Sequence, residues 1–209
     1  MILLHGLVRT RRSMAPLAAF LKQRGYAVAN AGYPSRRAPI EILAQSTLPP
    51  AVAALQRQRA DVIHFVTHSM GGILLRAYLA ETPLAELGRT VMLSPPNQGS
   101  ELVDRLCPYA WFRLLFGPAG CQLGTGTNDL PARLGPAIFP LGIITGNRPA
   151  IGLSRFFPGP SDGKVSVARA QLPGMTDFLV LPYGHALIMR HRPVQEQVVY
   201  FLRTGRFER

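Results

Sequence analysis

The stretch Val62-Ile63-His64-Phe65-Val66-Thr67-His68-Ser69-Met70-Gly71-Gly72 decides how the chain folds. Residues 62–66 form a short run rich in β-branched and aromatic side chains, the pattern of a strand apolar on both faces. A helical pattern follows at once over 70–81. A strand that turns straight into a helix lifts the turn residue above the sheet. Its two arms nearly touch, so small residues are needed two positions to either side. The turn residue here is Ser69; Gly71 keeps the second small position and Thr67 stands at the first. Ser69 therefore reads as a candidate nucleophile, with an ordinary helix-capping serine as the alternative. Met70 opens the helix, and its N–H points at the space in front of the Ser69 hydroxyl, where negative charge would develop.

Working outward, residues 1–4 are a buried strand ending at His5-Gly6, and 26–30 a second strand. Ser13 caps a helix over 14–24 that stops at Gly25. Residues 40–59 are helical in pattern, but Pro49-Pro50 should kink or split that helix. Further strands are expected at 90–94, 141–145 and 178–181, and an amphipathic helix carrying Val194, Val198, Phe201 and Leu202 closes the chain. Strands alternating with helices predict an α/β fold: a three-layer α/β/α sandwich around a mostly parallel six-stranded sheet. No linker divides residues 1–209, so one domain is expected. Its single long excursion, 95–137, has no evident regular structure.

Composition narrows the function classes. Apolar residues make up 47% and charged residues 16%, which excludes a disordered chain. A net charge of +12 raises nucleic acid or an anionic membrane as partners. The charge is nearly all Arg, however, and is spread from Arg9 to Arg209 with small clusters at Arg9-Arg11-Arg12 and Arg36-Arg37. No basic helix face or aromatic-interleaved stripe accompanies it, so a nucleic-acid partner is not expected, and contact with an anionic membrane surface remains as a weak expectation. No metal or other cofactor is expected, because there is no Cys-x-x-Cys or paired His spacing. The opening residues show no leader pattern, so the cytoplasm is the default expectation. Cys107 and Cys121 then read as free thiols; a disulfide between them would go with export.

His5-Gly6 after the first strand and His68-Ser69-Met70-Gly71-Gly72 after the third resemble the α/β-hydrolase superfamily, nearest its lipase/esterase branch and small bacterial triacylglycerol lipases. Ser94-Pro95-Pro96-Asn97-Gln98-Gly99-Ser100 resembles a Pro-(His/Asn)-x-Gly-Ser segment of bacterial lipases. The resemblance runs from residue 2 to about 202 and implies a minimal form of that fold. In this fold the nucleophile is followed in the chain by an acid and then a His. Only His185 and His191 lie beyond Ser69, and His185 sits just past the last strand, where the fold places the base. Asp162, in Asp162-Gly163-Lys164-Val165, resembles the lipase acid segment. Asp177, Asp104 and Asp129 are the alternatives. By the same resemblance, the Leu7 N–H is the second oxyanion donor beside Met70.

These assignments imply a carboxylic-ester hydrolase working through Ser69, His185 and Asp162 and an acyl-enzyme, without cofactor, on a small-molecule acyl ester or lipid. An acyltransferase or thioesterase with the same triad, or a non-catalytic binding module, is the alternative. Trp111, Phe112, Leu115 and Phe116 lie in the densest apolar run and read as a lid or acyl-pocket wall, or else as a cap packed into the core.

Overall fold

The central strands of this chain alternate their burial between two cores, and that alternation makes the layers. In the computed structural model, which describes residues 1–209, six strands form: β1 (Ile2–Leu4), β2 (Ala29–Ala31), β3 (Ile63–His68), β4 (Leu87–Leu93), β5 (Leu141–Gly146) and β6 (Asp177–Leu181). They pair, all parallel, in the order β2-β1-β3-β4-β5-β6. Ile2, Leu4, Phe65, Met92 and Ile143 enter one core; Leu3, Val66, Val91, Leu93 and Ile144 enter the other. A sheet apolar on both faces must be covered on both.

Eight helices connect the strands or cover the sheet: α1 (Ala15–Gln23), α2 (Ile40–Gln56), α3 (Met70–Glu81), α4 (Glu101–Leu106), α5 (Ala110–Cys121), α6 (Leu130–Arg133), α7 (Val167–Ala170) and α8 (Arg192–Thr204). Residues of α2 and α3 pack in the first core, and those of α1 and α8 in the second. The chain leaves β1 for β2 on one side and returns to β3 on the other. The crevice between the C-terminal ends of β1 and β3 is therefore the topological switch point, where open α/β sheets bind ligands.

The structure departs from the sequence reading in four places. Ser13 caps no α-helix: its hydroxyl donates to the Thr10 carbonyl inside a 3₁₀ turn, and α1 starts two residues later. The α2 helix runs through Pro49-Pro50 without splitting. Both prolines are exposed, as are Gln45 and Ser46, whose carbonyls lose their helical donors and face water instead. The buried face of Leu43, Ala44, Leu48, Val52 and Leu55 holds the helix together. The 95–137 excursion is not irregular but carries α4, α5 and α6. Cys107 and Cys121 are not free thiols; they form a disulfide across a separation of 14 residues, the ends of α4 and α5. Closing a loop of that size stabilises by about 3 kcal/mol in the chain-entropy picture.

Two contacts that no local pattern announces dock the excursion. The N-terminus of α2 has no capping side chain of its own. Gln122 supplies one, accepting from the Ile40 N–H at 2.7 Å while its amide donates to Glu41 at 2.6 Å. Arg76 of α3 is buried without any carboxylate partner. Its guanidinium donates to the carbonyls of Asn97, Pro131 and Gly135 at 2.7–2.9 Å, gripping both ends of the excursion at once. Burial lowers its pKa to about 10, so it stays charged at neutral pH. Replacing Arg76 with Met leaves these buried carbonyls without donors, and each orphaned group costs about 1–3 kcal/mol. We expect Arg76→Met to lower unfolding free energy by roughly 3 kcal/mol in urea titrations, and Arg76→Lys, which lacks the fork, to recover only part of it. A loss below about 1 kcal/mol would mean that the excursion docks without this residue.

Candidate active site

The site begins with backbone strain. Ser69 stands between β3 and α3 with φ 53° and ψ −127°, a conformation that non-glycine residues avoid. The turn is packed too tightly to relax. A Cβ on Gly71 would lie 2.8 Å from the carbonyl oxygens of both Leu4 and His5, and one on Gly6 would lie 3.0 Å from Ser69 Cβ. Thr67 is tolerated at the first small position because Gly72 opens the space beside it: a Cβ there would stand 3.3 Å from Thr67 Oγ1. The loop after β1 is held as firmly. Val8 has φ 57°, its N–H donates to Ser35 Oγ at 3.0 Å, and the Arg9 N–H closes the turn onto the Gly6 carbonyl. The His5 ring stacks on Tyr33 at 4.1 Å and accepts the Tyr33 N–H.

On this base the structure brings Ser69, His185 and Asp162 into one line. The Ser69 hydroxyl donates to His185 Nε2 at 2.9 Å, and His185 Nδ1–H donates to Asp162 Oδ2 at 2.8 Å. The other carboxylate oxygen accepts the N–H groups of Lys164 and Val165, both at 2.9 Å. Burial alone would raise the Asp162 pKa. The facing His185, its N–H and these two backbone donors outweigh burial and hold the carboxyl below its ordinary value. The Asp162 carbonyl accepts the His185 N–H at 3.0 Å, so the acid and the His are joined by backbone as well.

The sequence reading missed the groups that orient this line. His68 is fully buried, and its Nε2–H donates to the His185 carbonyl at 3.0 Å, tying the serine turn to the His loop. Burial, and then the neighbouring His185, push the His68 pKa well down, so its ring is neutral. Ser100, at the end of the Pro-Asn-Gln-Gly-Ser segment, donates to the Lys164 carbonyl at 2.6 Å and steadies the Asp162 turn. Such long-range partners leave no spacing signal in the sequence.

The alternatives are used elsewhere. His191 stacks on Tyr183 ahead of α8. Asp177 accepts the Phe207 N–H and Arg209, while Asp104 and Asp129 accept donors from the Thr125-Gly126 turn. His64 is half-buried and accepts the Arg89 N–H at 2.9 Å, where the register of β3 on β4 shifts.

Above Ser69 opens a cavity of about 180 Å³, lined by 17 residues of which 10 are hydrophobic. Leu7, Trp111, Phe112, Leu115 and Phe116 are among them. The α5 helix divides its two faces. Phe112 is 3% exposed and belongs to the core, whereas Trp111 is 53% and Leu114 87% exposed. The segment is thus a packed pocket wall with an apolar outer face. The Leu7 N–H donates to no protein group, and Met70 is the first residue of α3, so its N–H has no acceptor within the helix.

A strained serine behind a central parallel strand, in line with a His and an Asp carried by the loops after later strands, is a family-level arrangement. The model of the Alpha/beta hydrolase family matches residues 1–203. The chain belongs to the alpha/beta hydrolase family. Solved structures share its fold at low identity. Bacillus licheniformis lipase BlEst2 in mature form superposes with a TM-score of 0.70 at 18% identity, over 98% of this chain and 90% of that one. Phospholipase PlaB from Legionella pneumophila gives 0.75 at 19%, over 98% of this chain but 59% of that one, so this hydrolase-family chain spans well under two thirds of it. A Paleococcus ferrophilus monoacylglycerol lipase gives 0.61 at 15%, over 98% and 93%. No curated protein matches.

The buried histidines make the fold acid-sensitive. Burial lowers the pKa of His5, His64 and His68 from 6.5. Below pH 6.5 the unfolded chain binds protons that the folded chain refuses, so stability is full above that pH and falls as pH drops. Asp162 adds its loss only below 3.8, because its folded pKa is the lower one. Urea midpoints should therefore fall steadily from pH 7.5 to 5, and His68→Gln, which keeps a donor but cannot titrate, should flatten that slope. A wild-type midpoint independent of pH over this range would contradict the neutral His68.

Proposed function

We propose that this chain is a carboxylic-ester hydrolase of lipase/esterase type, with Ser69 as nucleophile, His185 as general base and acid, and Asp162 as the carboxylate that orients His185. The observation that carries the reading is the unbroken hydrogen-bonded line from Asp162 through His185 to Ser69 on the floor of an apolar cavity. Ser69 Oγ attacks the ester carbonyl carbon while His185 Nε2 takes its proton. The carbonyl oxygen becomes an oxyanion held by the free N–H groups of Leu7 and Met70, each such donor being worth about 3–4 kcal/mol. The tetrahedral intermediate collapses, the C–O bond breaks, and His185 returns the proton to the departing alcohol. Water, deprotonated by His185, then attacks the acyl-enzyme, and Ser69 leaves with its proton restored.

The wall of Leu102, Val103, Trp111, Phe112 and Phe116 supports an acyl chain as the part of the substrate that is buried. Lipases and a phospholipase of the same fold, named above, favour a lipid or simple acyl ester in the same way. The Cys107–Cys121 bond suits an oxidising compartment better than the cytoplasm expected from the opening residues.

Ser69→Ala should lower kcat on p-nitrophenyl octanoate by on the order of 10⁶, and adding His185→Ala should cost little more, because the line works as a unit. Burying each methylene contributes about 0.8 kcal/mol, so kcat/KM should climb several-fold per methylene from the acetate ester upward until the cavity is full. Substantial turnover by Ser69→Ala would overturn the assignment, and a best rate on the acetate ester would overturn the acyl pocket.

A further inference from the structure

Besides its 10 hydrophobic residues, the cavity above Ser69 is lined by two cations, Arg9 and Lys164, and by no carboxylate. Neither side chain donates a hydrogen bond to the protein or joins an ion pair. In a chain with 23 basic and 11 acidic residues an unpaired surface cation is unremarkable on its own. These two differ in where they stand: beside the candidate nucleophile, at the rim of an apolar pocket, on rigid backbone. Lys164 lies two residues past Asp162, with its N–H on the Asp162 carboxylate and its carbonyl held by Ser100. Arg9 closes the strained turn that presents Leu7. The two like charges are close enough to interact: the Lys164 pKa is lowered by desolvation first and by the Arg9 charge second.

Arg9 is also shared with a second, wide groove of polar character. That groove contains Arg11, Arg36 and Arg37 and again no carboxylate. Arg36 is fixed by donating to the Leu115 carbonyl at 3.1 Å, which joins the groove to the wall of the acyl pocket. The apolar cavity and the cationic groove thus meet at Arg9, beside the point where an ester bond would lie. Asp162 offsets the Lys164 charge only in part and already serves His185, so two like charges with no ion-pair partner of their own are relieved by an anion bound between them. A planar Arg fork beside a Lys point charge suits the several oxygens of a phosphate.

We propose that Arg9 and Lys164 form a subsite for a phosphate on the leaving half of the acyl ester, so that the preferred substrate has an apolar acyl chain and a phosphate-bearing alcohol or thiol. The proposal rests on the ester-hydrolase reading of Ser69. The acyl chain lies along α5, the scissile carbonyl at Ser69, and the phosphate against Arg9 and Lys164, with Arg11, Arg36 and Arg37 extending the attraction outward. The same chemistry has two sources: the glycerophosphate head of a single-chain phospholipid, and the phosphates of a coenzyme A thioester.

Matched substrates test it. Octanoylglycerol is compared with octanoylglycerol 3-phosphate, and the octanoyl thioester of N-acetylcysteamine with octanoyl-coenzyme A, at low ionic strength. In the wild type the phosphate-bearing member of at least one pair should have a kcat/KM about tenfold or more above its neutral partner, with the gap narrowing as salt screens it. The pair with the larger gap identifies the source. In Arg9→Gln/Lys164→Gln the ratio should collapse toward one. In Arg57→Gln, at the far end of α2, it should persist, which separates a local subsite from general surface charge. Hydrolysis of neutral and phosphate-bearing members at equal efficiency, or a ratio untouched by the double substitution, overturns the subsite while leaving the hydrolase reading intact. Hydrolysis of none of the four removes that reading and the subsite with it.

Discussion

A single turn carries this molecule: the reversal at Ser69, where β3 ends and α3 begins within one residue. Holding Ser69 at positive φ costs on the order of 1–3 kcal/mol and persists only because everything around it is already fixed. Gly71 lies against the carbonyls of Leu4 and His5, and Gly6 against Ser69 itself, so the ends of β1 and β3 lock each other. Because β1 and β3 are neighbours across the topological switch point, the same contact that strains the serine also brings the Leu7 turn to its side. Fold and candidate site are one constraint seen from two directions.

The remaining groups of the site are held by polar contacts between distant segments. His68 holds the His185 loop, Ser100 the Asp162 turn, Gln122 the start of α2, and Arg76 both ends of the excursion. Each joins segments more than 20 residues apart and is buried or half-buried. These contacts act together with the apolar docking of Val103, Phe112, Ala119, Leu123 and Leu130 in the first core. The disulfide within the excursion acts in the same direction, limiting how far the pocket wall can open.

Much of this was legible in the sequence because it rests on local periodicity. The parallel sheet followed from strands apolar on both faces alternating with helices, and Ser69 from a small-residue pattern at a strand-to-helix junction. His185 became a candidate because only two His follow Ser69 and it sits just past the last strand, and Asp162 because its segment resembles the lipase acid segment, with few other Asp to weigh against it. What escaped was non-local. The helices of the excursion were masked by Pro and Gly, notably Gly117 and Pro118, where the non-helical backbone of Gly117 kinks α5. The proline pair in α2 misled because its cost depends on exposure, which spacing does not report. The Cys107–Cys121 bond misled because redox state was inferred from the opening residues. The positioning role of His68 left no local signal, since its partner is a backbone carbonyl 117 residues away.

The charge, which first suggested a nucleic acid or membrane partner, includes Arg9, Arg11, Arg36 and Arg37, which line one groove. Arg9 of that groove, together with Lys164, also lines the apolar cavity. The most direct measurement of the central claim, that the Ser69–His185–Asp162 line activates one hydroxyl, is labelling with a fluorophosphonate followed by peptide mapping. It should give a single adduct on Ser69 in the folded protein, with labelling slowed by orders of magnitude in His185→Ala. An adduct on another residue, or labelling of Ser69 at an equal rate without His185, would contradict it.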